Sequence, residues 1–331
     1  MNEAGGMNEA DGTDGGLLEV AVTRRTAVAE GVVAIELARI DGAPLPAFDP
    51  GAHVDLHIAP GLVRQYSLCG DPADTRRYRL GILRTETSRG GSLRVHTRLR
   101  AGQFLLMSPP RNHFPLVHDG APAVLFAGGI GVTPLLPMAR ALAAGGVPFE
   151  VHYRARTRAR LAFADELAEY AGARGPYLYP DDEPGGDTFD PLAAIRRAGP
   201  GARVYVCGPR GFMDAVRDAA LAAGIPETRL HEETFVNEVD TSGAPFTVVA
   251  ARTGVEAEVT PGRTISDVLR ERGVPVRTSC ETGVCGTCLT RVVEGVPDHR
   301  DVFQSPADQA KGRHITLCCS RARTPVLVVD L

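Results

Sequence analysis

Three cysteines near the carboxyl end, Cys280, Cys285 and Cys288, stand at C-x4-C-x2-C inside SCETGVCGTC, and Cys318 and Cys319 follow further on. This spacing suits a 2Fe-2S cluster, in which each iron completes a tetrahedral sulfur shell with two thiolates and one tightly wrapped loop supplies three of the four. Gly283 and Gly286 permit the wrap, because glycine tolerates positive φ and leaves backbone N–H groups free to approach the sulfurs. A zinc site or a set of buried thiols is the competing reading, but zinc sites usually present paired C-x2-C knuckles and this sequence has one. Adjacent side chains point in different directions, so only one of Cys318 and Cys319 can face the cluster, and spacing does not choose between them.

A second chemical signal is AGGIGVTP at 127–134. It follows the apolar run AVLFA and opens a helical stretch, so bare N–H groups at a helix N-terminus would meet a pyrophosphate at the strand end. Glycine turns join strands to helices in many α/β folds, and this one is not the G-x-G-x-x-G fingerprint. A partner strengthens it: CGP at 207–209 also ends a predicted strand, and two such turns in one open sheet frame a ligand crevice. The second strand, PFEVHY, runs into RARTRAR without an acidic residue at its end. Arg154, Arg156, Arg158 and Arg160 could clamp a 2′-phosphate or form a solvated face; the solvated face is the expectation, and with it NADH rather than NADPH.

The third signal is RQYSL at 64–68, with SRGGSLRVH at 88–96. Strand alternation places Arg64, Tyr66 and Leu68 on one face and Gln65 and Ser67 on the other, although a local twist could gather Arg64, Tyr66 and Ser67 round one ligand. Arginine pairs bidentately with phosphate, tyrosine offers an aromatic plane and a hydroxyl, and the Gly90–Gly91–Ser92 turn before a short helix is a second phosphate cradle. Alone, the first segment is an ordinary amphipathic strand.

Positioning these groups takes more than one core. At 331 residues the chain suggests two or three domains, with three the better fit. Residues 1–16 carry too little apolar surface to offset their ordering entropy and read as a disordered leader. From 17 to 116, short alternating runs broken by Gly, Pro and Asp read as an antiparallel barrel. From 117 to 236, strand, turn and helix alternate as in a parallel α/β sheet. Residues 237–245, NEVDTSGAP, read as a linker, and 246–331 as the unit that holds the cysteine loop.

Composition narrows the function. Hydrophobic residues make up 44% and charged residues 23%, as in packed globular proteins, and the net charge of -4 gives no electrostatic footprint for nucleic acid. No run approaches the roughly 18–20 apolar residues of a membrane span, and the acidic, polar start is unlike a signal peptide. Cysteines at ligand-like spacing in a long chain argue for a reducing, cytoplasmic setting.

Taken together, the motifs resemble known families. Residues 246–331 resemble a plant-type ferredoxin domain of β-grasp, α+β fold, and LCCSRA resembles its last ligand segment, which implies Cys318 as the fourth ligand and Cys319 as a packed thiol. The GGxGxTP and CGP turns resemble the nucleotide domain of the ferredoxin reductase superfamily, which implies Gly129, Gly131, Thr133 and Cys207 at the hydride-transfer site, with Gly208 and Pro209 also binding the cofactor. RxYS and GGS resemble that superfamily's flavin barrel. The order barrel, nucleotide domain, ferredoxin resembles the phthalate dioxygenase reductase family over about residues 17–331.

That resemblance implies FMN, with Arg64 and the Gly90–Gly91–Ser92 turn on its phosphate and Gln65, Tyr66 and Ser67 against it. Glu232 and Phe235 are implied near the ring, although HEETFVNE matches loosely. Ser67, Thr133, Cys207 and Phe235 become the candidate catalytic group. The implied activity is a monomeric NADH-dependent reductase that passes electrons through FMN and a 2Fe-2S cluster to a terminal oxygenase, Rieske-type hydroxylase or O-demethylase. A cytochrome P450 partner is the alternative, and a non-catalytic metal-binding module the rival from another class.

Overall fold

The computed structural model describes residues 16–85, 90–172, 175–183, 188–235 and 239–331. Residues 1–15 of the expected leader, Ser88 and Arg89 before the glycine turn, and residues 237–238 of the expected linker lie outside the described residues.

Six strands form the first sheet: β1 (Leu18–Ala29), β2 (Val32–Arg39), β3 (His53–Ala59), β4 (Leu62–Ser67), β5 (Tyr78–Leu83) and β6 (Phe104–Met107). They are antiparallel in the order β4-β3-β6-β1-β2-β5. Alternate side chains point inward, so Val20, Val22, Ile35, Leu37, Val54, Leu56, Leu80 and Ile82 fill a single core. The sheet curls until its ends meet: Leu68 bridges Leu80, and the Cys69 N–H donates to the Arg79 carbonyl at 2.8 Å. Helix α1 (Gly91–Arg98) follows β5 and adds Val95 to the same core.

The second sheet is fully parallel, with β7 (Ala123–Gly128), β8 (Phe149–Ala155), β9 (Tyr177–Pro180), β10 (Arg203–Cys207) and β11 (Leu230–Glu233) in the order β11-β10-β7-β8-β9. Every residue of β7 is buried, as its unbroken apolar run requires of a strand covered on both faces. Helices α2 (Val132–Ala144) and α3 (Ala164–Ala171) cover one face, and α4 (Pro191–Ala198) and α5 (Arg210–Ala222) the other. The first of these cores is continuous with the barrel, since Val32, Ala34, Cys69, Phe114 and Leu116 pack in it beside Leu125, Leu135 and Met138. Strand order reverses between β7 and β10, which sets the turns after those two strands side by side.

The last unit contains β12 (Phe246–Ala250), β13 (Val255–Val259), β14 (Leu289–Glu294), β15 (Pro297–Asp298), β16 (His314–Thr316), β17 (Arg321–Ala322) and β18 (Val326–Val329). Five of them make a mixed sheet, β13-β12-β18-β14-β16, in which β12 and β18 run parallel, and β15 pairs with β17. Helix α6 (Ile265–Glu271) buries Ile265, Val268 and Leu269 in the core of this unit, and Thr264 caps it by accepting from the Asp267 N–H at 3.2 Å. A shorter helix, α7 (Pro306–Lys311), is capped likewise by Ser305. Buried Arg321 donates to the carbonyls of Thr260, Arg263, Ala244 and Val259 and lies over the Phe246 ring, so a charge deep in this unit leaves no donor pair to chance. Among the described residues no helix is long and apolar enough to cross a membrane.

Candidate functional site

The two turns expected to frame a crevice touch each other. A Cβ on Gly131 would stand 2.2 Å from the Cys207 carbonyl oxygen, and one on Gly128 would stand 2.8 Å from Pro209 Cδ and 3.1 Å from Gly208 Cα. Glycine is needed there because the backbones are in van der Waals contact. Gly129 is needed for a different reason: its φ is +55° and its Cβ direction opens into free space, the geometry of a turn left clear for a ligand. Thr133 is buried in the first turn of α2, bonds the Ile130 carbonyl at 2.9 Å, and presents its methyl to Gly81 of the barrel.

The barrel supplies the neighbouring wall. Arg64 and Tyr66 are register partners of inward-facing Leu56 and Val54, whereas Gln65 and Ser67 pair with Asp55 and His53 on the opposite face. The expected division of faces therefore holds, and the groups reach different surroundings. Arg64 lies against the start of α1, where a Cβ on Gly91 would meet its Cγ at 2.7 Å and its Nε at 2.9 Å. Gly90, with φ +89°, precedes that helix start. The Ser92 hydroxyl, by contrast, is engaged with Thr85, at 3.2 Å from its N–H and 2.9 Å from its Oγ1. A cationic side chain beside a helix N-terminus fits a phosphate.

Buried polar atoms near this wall lack protein partners. Tyr66 Oη and Gln65 Nε2 are enclosed without a hydrogen bond, and burial raises the Tyr66 phenol well above its ordinary range. Buried groups of this kind are usually paired, and because β4 is the edge strand a polar ring system bearing carbonyls and ring nitrogens laid along that edge suits both faces. This is the fit expected of a flavin.

Cys207 ends β10 directly beside Glu233, its register partner on β11. Burial pushes the Cys207 thiol up, with the Glu233 charge adding to it, so the sulfur stays protonated. Glu233 itself is pushed up to about 8 by burial, with the Ser67 hydroxyl pulling the other way, and its Oε2 is buried without a partner. Ser67, Cys207 and Glu233 thus meet where the barrel and the parallel sheet join.

Glu232 is not in that group. Successive residues of a strand face opposite ways, and Glu232 points to α5, where Arg217 holds it at 2.6 Å. Of the two adjacent carboxylates, Glu233 and not the expected Glu232 therefore faces Cys207. The strand LHEE is only four residues long and carries no alternation from which the facing carboxylate could be read. Phe235 is partly exposed just beyond β11.

The cysteine loop is drawn in on itself. The Cys280 sulfur lies in hydrogen-bonding reach of Cys285 and Cys318, whose thiols hold it well below the ordinary thiol range, and Cys318 also reaches Cys288. The N–H groups of Thr282 and Val284 donate to Cys280 Sγ, each at 3.4 Å. Gly283 and Gly286 have φ of +74° and +70°, and a Cβ would strike Cys319 Sγ at the first and the Phe303 ring at the second. Cys319 therefore packs behind the loop, with its sulfur 3.2 Å from Thr316 Oγ1. Four convergent sulfurs with N–H donors aimed at one of them fit a 2Fe-2S cluster.

Comparison with known proteins agrees with this geometry. Residues 248–323 match the model for Fer2, the 2Fe-2S iron-sulfur cluster binding domain. The chain is 43% identical over 317 residues to the vanillate O-demethylase oxidoreductase of Pseudomonas sp. (strain HR199 / DSM 7063), covering 95% of this chain and 100% of that one. Its fold superposes with a TM-score of 0.75 and 36% identity on phthalate dioxygenase reductase, described as a modular structure for electron transfer from pyridine nucleotides to [2Fe-2S], covering 96% of this chain and 98% of that one. An intact type IV self-sufficient cytochrome P450 monooxygenase matches with a TM-score of 0.80 and 36% identity, covering 95% of this chain but 41% of that one. Barrel, parallel sheet and cysteine loop occur here in one order and over nearly the full length of such relatives, and the chain belongs to the phthalate dioxygenase reductase family of oxygenase reductases.

Proposed function

We propose that this chain is the reductase component of an oxygenase system, taking hydride from NADH on FMN and delivering electrons one at a time through its 2Fe-2S cluster to a separate Rieske-type hydroxylase or O-demethylase. The observation that carries the reading is the convergence of Ser67, Cys207 and Glu233 where barrel and parallel sheet meet, in the same chain as the four-sulfur loop. FMN supplies the change of electron count, since a flavin accepts two electrons as hydride and can release them singly.

The chain's own residues bind and orient. Arg64 and the α1 N-terminus at Gly90 and Gly91 would hold the FMN phosphate, with Tyr66, Gln65 and Ser67 offering hydrogen bonds to the ring. Gly129, Gly131 and the start of α2 would receive the dinucleotide pyrophosphate, and the Gly208–Pro209 turn would close the crevice. The neutral thiol of Cys207 and the enclosed Oε2 of half-buried Glu233 would line the nicotinamide side and leave little room for water. Cys280, Cys285, Cys288 and Cys318 would hold the cluster.

The arginine-rich segment supports NADH. Arg154 pairs with Asp181 at 2.8 Å, Arg158 with Glu183, and Arg160 with Glu30 at 2.9 Å. Three of the four cations are thus occupied by carboxylates in place of a 2′-phosphate. A P450 partner is the second reading, favoured by the match to the reductase portion of a self-sufficient P450. Purified protein should release FMN on denaturation, contain iron and acid-labile sulfide, and reduce cytochrome c with NADH; reconstitution with a Rieske oxygenase against a P450 separates the two readings.

A further inference from the structure

Asp55 joins the flavin barrel to the cysteine loop. It lies on β3 and is 6% exposed. One carboxylate oxygen, Oδ1, accepts from the hydroxyl of Ser279 at 2.8 Å, across 224 residues of sequence, and the other, Oδ2, accepts from Arg111 at 2.5 Å. Its backbone is fixed as well, because the Asp55 N–H donates to Ser108 Oγ at 2.9 Å and the Ser108 N–H returns to the Asp55 carbonyl at 2.9 Å. Ser279 is itself buried and is the residue immediately before Cys280.

The same face of β3 makes a second contact with the last unit. His53, two residues away on that face, lies with its ring centroid 5.3 Å from that of His113 and the planes tilted by 37°; His113 meets Phe303 edge-on at 5.4 Å, and Phe303 fills the space a side chain at Gly286 would occupy. His53 is the register partner of Ser67 and Asp55 that of Gln65. The strand that pairs with β4 at the expected ring site therefore also meets the last unit twice, directly at Ser279 and through His113 at Phe303, which packs behind Gly286.

We propose that Asp55 is a positioning residue for electron transfer: through Ser279 it docks the Cys280 end of the cluster loop on the flavin barrel and sets the separation across which electrons pass. The second oxygen of a buried carboxylate already held by an arginine still needs a donor, so the charge-assisted bond from Ser279 is costly to lose and ties the loop to the barrel. The step governed is the movement of one electron from the reduced flavin to the oxidised cluster, with no bond made or broken. This inference rests on the reductase reading given above.

The test uses wild-type holoprotein, Asp55→Ala and Ser279→Ala. In anaerobic rapid mixing with NADH, flavin bleaching should stay within about two-fold of wild type while cluster reduction slows by about ten-fold or more, since small misplacements carry large rate costs. Amide exchange of residues 279–288 in the oxidised protein should accelerate in both variants. Ser279→Ala leaves the Asp55–Arg111 pair in place and so reports on the dock alone if Asp55→Ala folds poorly. Wild-type cluster reduction and wild-type exchange in Ser279→Ala would overturn the proposal, as would an equal fall of both rates in the two variants, which would mean a general barrel role. Amide exchange reads the dock independently of the redox chemistry, so wild-type protein lacking flavin or iron would refute the reductase reading without deciding the dock.

Discussion

Cys207 and Glu233 stand opposite each other on neighbouring parallel strands, and burial keeps both in their neutral forms toward neutral pH. A carboxyl that is neutral in the folded chain makes stability depend on pH. The unfolded chain releases this proton near 4.5 and the folded chain near 8, so the favourable contribution is complete below about pH 4.5 and is lost as pH rises through about 8. Thermal unfolding followed over that window should show stability falling, and Glu233→Gln should remove much of the fall, raising stability at the alkaline end by a few kcal/mol at most. An unchanged slope would contradict the placement.

Glu232→Gln is the matching control. It breaks a partly exposed pair with Arg217, which is worth under about 1 kcal/mol. Flavin reduction by NADH should be unaffected in this variant and altered in Glu233→Gln, and the reverse pattern would restore Glu232 to the ring site.

Gly131→Ala should damage nucleotide use, because its Cβ would stand 2.2 Å from the Cys207 carbonyl oxygen and one of two packed turns must move. Overpacking of this kind costs about 1–3 kcal/mol, and kcat/KM for NADH should fall by about ten-fold or more. Steady-state kinetics with NADH checks it.

Arg64→Ala should weaken FMN retention by about ten-fold or more, the cost of a lost charge-assisted bond of roughly 1.5–3 kcal/mol. Gly91→Ala should act in the same direction through Arg64, since the new Cβ would sit 2.7 Å from its Cγ. Fluorescence of FMN released during dialysis measures both, and full retention in Arg64→Ala would place the phosphate elsewhere.

Cys318→Ser should lose the cluster, and Cys319→Ser should keep it, because Cys318 reaches Cys280 and Cys288 while Cys319 packs behind Gly283 against Thr316. Iron and acid-labile sulfide per chain decide between them.

Much of this was legible in the sequence because the signals are local. The C-x4-C-x2-C loop, the glycine turns at 127–134 and 207–209, and the switch from alternating to helical periodicity each occupy a few consecutive residues whose backbone geometry dictates their type. The face of a four-residue strand was not legible, so the sequence did not show that Glu233 faces Cys207 while Glu232 faces Arg217. Neither was Asp55: an acid in a strand reads as one more polar position, and its partner Ser279 lies 224 residues away on another unit. Contacts between units arise from how finished surfaces meet, and no periodicity announces them.

The central claim is a relay from NADH through a barrel-bound flavin to the four-sulfur loop. Anaerobic rapid mixing of NADH with the wild type and with Cys285→Ser, following flavin absorbance and the electron paramagnetic resonance of the reduced cluster, tests it most directly. The wild type should bleach and then develop the cluster signal; the variant should bleach fully and never develop it. A cluster reduced by NADH in flavin-free protein, or zinc in place of iron in the wild type, would contradict the account.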